Sequence, residues 1–126
     1  MKDDYPAYYE HLKKLSAKLA RELRGPMSAF AQLNAATSAP GALDAKIKQL
    51  IALGIGISGH CEGCIAYHVH DAIRAGATRQ EILETLGISI MMGGGPAVVY
   101  ACEALEALEQ FASSGLAPTS SETPKR

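Results

Sequence analysis

Apolar residues along this chain recur at intervals of three and four, in six stretches separated by glycine, proline and serine. The first stretch follows Asp4-Tyr5-Pro6 and carries Leu12, Leu15, Leu19 and Leu23 at helical spacing, with Gly25-Pro26 as its expected stop. A short helix through Met27, Phe30 and Leu33 is expected next, ending before Pro40-Gly41. Asp44 has the character of an N-cap for a third helix whose apolar stripe is Ile47, Leu50, Ile51 and Ile55. Ser58-Gly59 interrupts the pattern, and a fourth helix is expected from near His60 to Ala75, with Gly76 in the C-terminal cap position. Thr78-Arg79-Gln80-Glu81 spells a capping box that opens a fifth helix bearing Ile82, Leu83, Leu86 and Ile90. After Gly93-Gly94-Gly95-Pro96 a last helix is expected from about Ala97 to Ala112. No alternating strand pattern competes, so the predicted class is all-α.

Composition sharpens this picture at few points. The length, 126 residues, suits one domain with a real core, expected over residues 1–112. From 113 to 126 the chain turns to Ser, Thr, Pro and Lys, which reads as a disordered tail. Twelve basic and thirteen acidic residues nearly cancel, which argues against nucleic acid and anionic membranes as partners. No apolar run has the length of a membrane span and no signal-peptide core follows the N-terminus, so a cytoplasmic protein is expected. The 48% apolar fraction is large for a small helical chain and predicts burial against other copies of itself.

One segment carries chemistry: His60-Cys61-Glu62-Gly63-Cys64-Ile65-Ala66-Tyr67-His68. At about 100° per residue, Cys64 lies some 60° from Cys61, and His68 about 40° back towards Cys61, so all three share one helix face. Side chains three apart on a helix have Cβ atoms about 5–6 Å apart, within reach of a disulfide after modest adjustment. His68 is placed to serve Cys64 as base or hydrogen-bond partner. Two thiols this close in a reducing compartment point to redox or metal chemistry, not to a structural crosslink. Either cysteine qualifies as the nucleophile: the helix start favours a Cys61 thiolate, and the adjacent base favours Cys64. Zinc is the competing reading, with His60, Cys61, Cys64 and His68 as donors, although no second ligand pair exists elsewhere in the chain.

Other reactive residues read more plainly. His11 belongs on the surface, and His70, opposite Cys61, is expected at solvent or an interface. Cys102, among alanine and valine, reads as core, with resolution of a disulfide as the alternative. Tyr67 either bounds the active face or packs, and Glu62 complements the helix dipole. The glycine triplet lacks the Lys-Ser/Thr of a phosphate loop and reads as a tight inter-helix turn. No flavin, haem or nucleotide motif is present, so no cofactor and no resident metal are expected.

From about Leu43 to Leu108 the chain resembles the carboxymuconolactone decarboxylase superfamily, in its AhpD-like alkylhydroperoxidase branch. The resemblance is carried by Leu43-Asp44 through Leu50-Ile51-Ala52-Leu53, by Cys61-Glu62-Gly63-Cys64-Ile65-Ala66-Tyr67-His68-Val69, by Ala75-Gly76-Ala77-Thr78 with Glu81-Ile82, and by Met92-Gly93-Gly94-Gly95-Pro96. It implies a helical domain that assembles into trimers or hexamers, and a thiol-dependent peroxidase or disulfide oxidoreductase. Carried over residue by residue, Cys64 becomes the peroxidatic cysteine, Cys61 the resolving one and His68 the base of a proton relay. The branch's relay glutamate stands twelve residues before the first cysteine, where this chain has Gln49, which cannot take a proton near neutrality. AhpD proteins also often carry a histidine between the cysteines, where this chain has Gly63. The expected partners are a hydroperoxide or disulfide substrate and an external dithiol reductant. Two readings from other classes remain: a non-enzymatic redox or zinc-binding CxxC module, and a decarboxylase-type acid–base enzyme using His68 without the thiols.

Overall fold

A computed structural model describes residues 4–120 as six helices: α1 (Tyr5–Glu22), α2 (Arg24–Ser38), α3 (Ala45–Ser58), α4 (Glu62–Arg74), α5 (Arg79–Gly93) and α6 (Gly95–Ser113). The all-α class expected from the periodicity is what the chain adopts, and no β-strand is formed among the described residues. Local signals set most of the boundaries. Asp44 caps α3 by accepting the Ile47 N–H at 2.8 Å. Thr78 and Glu81 close the capping box of α5 in both directions, at 3.0 and 2.8 Å. Gly76 takes the left-handed conformation after α4, with φ +97°.

Three boundaries differ from the sequence expectation. The break after α1 falls at Leu23, and Gly25-Pro26 lie inside the first turn of α2, where the missing proline N–H has no helical partner to lose. Helix α4 begins at Glu62, not His60: Cys61 is its N-cap, and His60 before it adopts a left-handed φ of +54°. The turn between α5 and α6 is shorter than four residues. Gly94 alone links them at φ +69°, and a Cβ on Gly93 would sit 2.7 Å from the Ala97 Cβ.

Helices α3 to α6 form the body, α3 against α4 and α5, and α6 against α4 and α5. The core between them is built from Leu53 and Ile57, Ile65, Ala66 and Val69, Ile82 and Leu86, and the Ala97-Ala101-Ala104-Leu108-Phe111 face of α6. Cys102 lies one residue off that face and is exposed, contrary to the core assignment made from its apolar neighbours. Helix α1 crosses α4 and α6 with its N-terminal half, burying Tyr5 and Tyr9. Its leucine stripe behaves otherwise: Leu12 is half-buried, while Leu15, Leu19 and Leu23 face outward. Residues 114–120 turn back onto the body, with Leu116 against the core and the Thr119 N–H on the Ala77 carbonyl. The expected disordered tail spanned 113–126; of it, residues 121–126 lie outside the described residues.

A buried polar contact holds α1 in place. The Tyr5 hydroxyl donates to Glu103 Oε1 at 2.8 Å with both side chains buried, and the Tyr5 backbone N–H donates to Gln110 Oε1 at 2.7 Å. Burial and the neighbouring carboxylate push the phenol well above its ordinary pKa, so Tyr5 stays protonated as the donor at neutral pH. Tyr5→Phe removes that donor from a buried carboxylate and is expected to lower stability by about 1–3 kcal/mol with helicity retained. Urea unfolding followed by circular dichroism measures it, and an unchanged midpoint would mean that the hydrogen bond anchors nothing.

Candidate functional site: a cysteine pair at the start of α4

The body brings the cysteines to the α3–α4 corner. Gly59 ends α3, His60 turns the chain through its left-handed φ, and Cys61 caps α4. Cys61 Sγ accepts the Cys64 N–H at 3.1 Å, and the two residues are joined as a disulfide with Cα atoms 5.2 Å apart. The cap position exposes Cys61 to the free amides and positive end of the helix dipole, which favour a thiolate after reduction. Cys64, one turn in, packs on α3 directly over Gly56, where a Cβ would lie 2.9 Å from the Cys64 Cβ. Gly63 faces α1: a Cβ there would meet Leu12 Cδ1 at 3.3 Å and the Tyr8 hydroxyl at 3.7 Å. That close ceiling leaves little room for the histidine that AhpD proteins often have between their cysteines.

The second element of the site spans the same two helices. His68 Nδ1 lies 2.8 Å from Gln49 Oε1 on α3. An amide oxygen only accepts, so Nδ1 carries the proton and Nε2 keeps its lone pair. Burial lowers the His68 pKa below its ordinary value, against a weaker opposing pull from Asp71, so the ring is neutral at pH 7 and available as a base. Gln49 and His68, far apart in sequence, are thus brought within hydrogen-bond distance, with an amide at the position where the AhpD-like branch has a carboxylate.

The other candidates separate from this centre. The His60 ring stacks on Tyr100 of α6, with centroids 4.7 Å apart and planes 3° from parallel. His70, expected at solvent or an interface, is instead partly buried, stacked on Tyr9 at 4.0 Å and paired with Asp71 at 2.8 Å. Opposite Cys61 on α4 is the side that α1 covers, which is why a helical wheel alone misplaced it. Tyr67 packs edge-on against Tyr9 at 5.2 Å, so packing is its role. His11 is exposed, as expected. Among the described residues no three His, Cys, Asp or Glu side chains converge as metal donors; of the four zinc candidates, His60 stacks on Tyr100, His68 pairs with Gln49, and the two cysteines are bonded to each other. Gly56 and Tyr100 were missed by sequence reasoning. Gly56 carried a faint signal as one of two glycines, Gly54 and Gly56, inside a strongly apolar helix.

His68 should titrate below the usual histidine range by NMR, as the Nδ1–H tautomer. Gln49→Glu places a carboxylate on Nδ1 and should move that titration upward; an unmoved pKa would show that Gln49 and His68 do not pair in solution. The sign also fixes a stability trend. The unfolded ring binds its proton first as pH falls, so this contribution is full above about pH 6.5 and is lost as pH drops through the folded value.

Comparison with known proteins places this geometry. The profile of the carboxymuconolactone decarboxylase family matches residues 26–107. A carboxymuconolactone decarboxylase family protein from Legionella pneumophila, in its apo crystal structure, superposes with a TM-score of 0.84 at 40% identity, over 88% of this chain and 99% of that one. A family protein from Thermotoga maritima, for which a role in the antioxidative response has been suggested, superposes with a TM-score of 0.67 at 31% identity, over 71% of this chain and 92% of that one. Protein 4 of the cox locus of Paracoccus denitrificans is 37% identical over 103 residues, 79% of this chain and 93% of its own. Among the described residues no helix is long and apolar enough to cross a membrane. With the family profile spanning most of the chain and the fold shared along nearly the whole Legionella protein, this chain belongs to the carboxymuconolactone decarboxylase family.

Proposed function

We propose that the protein is a thiol-dependent peroxidase of the AhpD-like kind, cycling between a Cys61/Cys64 dithiol and the corresponding disulfide. The observation that carries this reading is the cysteine pair at the cap of α4 with a neutral, oriented histidine one turn beyond Cys64. The antioxidative role suggested for the Thermotoga relative points the same way.

His68 takes the Cys64 thiol proton at Nε2, and the thiolate attacks the distal oxygen of a hydroperoxide. The O–O bond breaks, an alcohol leaves with a proton, and Cys64 becomes a sulfenic acid. Cys61, whose thiolate is favoured by its cap position, attacks the Cys64 sulfur; water leaves and the disulfide forms. An external dithiol then reduces the disulfide by exchange and is itself oxidised. Gln49 holds the His68 tautomer but cannot carry its proton onward, so the proton passes from Nε2 to the leaving alkoxide. Dependence on a dithiol pool fits a cytoplasmic setting, and no flavin, haem or metal enters the cycle.

Turnover of cumene hydroperoxide with dihydrolipoamide or dithiothreitol tests the reading. Cys64→Ser should abolish turnover, Cys61→Ser should stop after a single oxidation, and His68→Ala should slow the reaction by about 10²–10⁴-fold at neutral pH. Equal rates in wild type and Cys64→Ser would refute it. Undiminished alkylation of reduced Cys64 at pH 7 in His68→Ala would reduce His68 to a packing residue.

A further inference from the structure

The turn that carries Cys61 is built against local preference. Helices α3, α4 and α6 end in the same arrangement: the residue after the cap takes a left-handed φ, and its N–H and the next one donate back into the last turn. After α4 the Gly76 N–H reaches the Ile73 carbonyl and the Ala77 N–H reaches the Ala72 carbonyl, both at 3.0 Å. After α6 Gly115 reaches Ala112 at 3.3 Å and Leu116 reaches Phe111 at 2.9 Å. Glycine fills the left-handed position in both, at φ +97° and +105°. After α3 His60 donates to the Ile57 carbonyl at 3.1 Å and Cys61 to the Gly56 carbonyl at 3.0 Å, and the left-handed residue is His60. It is the one non-glycine residue with a positive φ among the described residues. A side chain there crowds its own backbone, and glycine would close the turn with less strain. The histidine is therefore present for its ring.

That ring has a fixed partner. It lies flat on Tyr100, with centroids 4.7 Å apart and planes 3° from parallel, and Tyr100 is half-buried against the core. His60 itself is exposed, so it is the face of Tyr100, not burial, that holds the ring. The stack ties the start of α4 to α6 at the residue just before Cys61. From there the Cys61 N–H is set on Gly56, and Cys61 Sγ is set to accept the Cys64 N–H at 3.1 Å.

We infer that His60 is a positioning residue for the cysteine pair: clamped on Tyr100, it holds the turn that presents Cys61 to Cys64 and so favours closure of the disulfide. In the oxidised protein the bond itself restrains the turn. The dithiol has no such restraint, and there the stack keeps Cys61 at the cap, so less freedom is lost when the bond forms. Without the stack the turn is released only in the dithiol, and closure becomes harder. The inference deepens the proposed function and rests on the pair being a redox centre, but it does not require the oxidant to be a peroxide.

Equilibration with glutathione at pH 7 tests it. The reduced pair gives two electrons and two protons to oxidised glutathione, one disulfide forms in the protein, and two glutathione thiols are released. Acid quenching, alkylation of the remaining thiols and mass spectrometry read the ratio of disulfide to dithiol. His60→Gly, which suits the turn but lacks the ring, and Tyr100→Ala should each move that ratio towards the dithiol by about three- to tenfold, the change that losing an aromatic pair corresponds to. Tyr100→Phe keeps the ring face and should stay with wild type. An unmoved ratio in His60→Gly or Tyr100→Ala overturns the proposal, as does a shift in Tyr100→Phe as large as that in Tyr100→Ala. An equal loss of melting temperature in the oxidised and reduced forms, with the ratio unmoved, makes the stack a structural contact only and overturns it too. A wild type that turns over no hydroperoxide, while the variants shift as expected, refutes the peroxidase reading and upholds this one. A wild type that forms no Cys61–Cys64 disulfide in glutathione overturns both.

Discussion

Where α3 meets α4, Gly56 leaves room for nothing larger than a hydrogen atom over Cys64, since a Cβ there would stand 2.9 Å from the Cys64 Cβ. That approach sets the distance between the two helices, and the site hangs on it twice. At one end it seats Cys64 so that the cap residue Cys61 can close onto it. Two turns back along α3, it brings Gln49 within 2.8 Å of His68. Leu53 and Ile57 on α3 and Ile65, Ala66 and Val69 on α4, all fully buried, fill the seam and keep the helices from sliding. A side chain at position 56 would separate the cysteine pair from its core support and loosen the histidine's partner together.

The environment around this seam divides labour between neutral and charged groups. His68 is buried enough to stay neutral, which suits a base at pH 7. The one buried carboxylate among the described residues, Glu103, is turned to a structural task by Tyr5. Helix α1 thereby becomes a cover: anchored at its start by Glu103 and Gln110, it lays Tyr8 and Leu12 over Gly63 between the cysteines. Its C-terminal half and most of α2 turn their larger apolar side chains outward: Leu15, Leu19, Leu23, Phe30 and Leu33 are exposed.

Much of this was legible in the sequence for physical reasons. Caps are local chemistry, so Asp44, Thr78 with Glu81, and Gly76 announce their boundaries without reference to the rest of the fold. The cysteine and histidine spacing is equally local. What escaped depends on which apolar face turns inward. Helix α3 is apolar on two sides: of the stripe Ile47, Leu50, Ile51 and Ile55 that the periodicity singled out, the three isoleucines face outward and Leu50 packs against the core, whose inner face is formed by Leu53, Gly56 and Ile57. Cys102 shows the same ambiguity, one residue off the buried face of α6, and His70 shows it in reverse, drawn inward because α1 crosses its side of α4. Periodicity reports that a face is apolar; only tertiary packing decides what covers it.

In the proposed function Cys61 and Cys64 act as one two-electron centre with Cys64 as the attacking thiol. Reaction of the reduced protein with one equivalent of an alkyl hydroperoxide, followed by mass spectrometry, tests it most directly. The expected outcome is stoichiometric alcohol, loss of two hydrogens on the peptide holding both residues, and a dimedone-trapped sulfenic acid on Cys64 in Cys61→Ser. Oxidation that instead pairs either residue with Cys102, or that proceeds undiminished in Cys64→Ser, would contradict it.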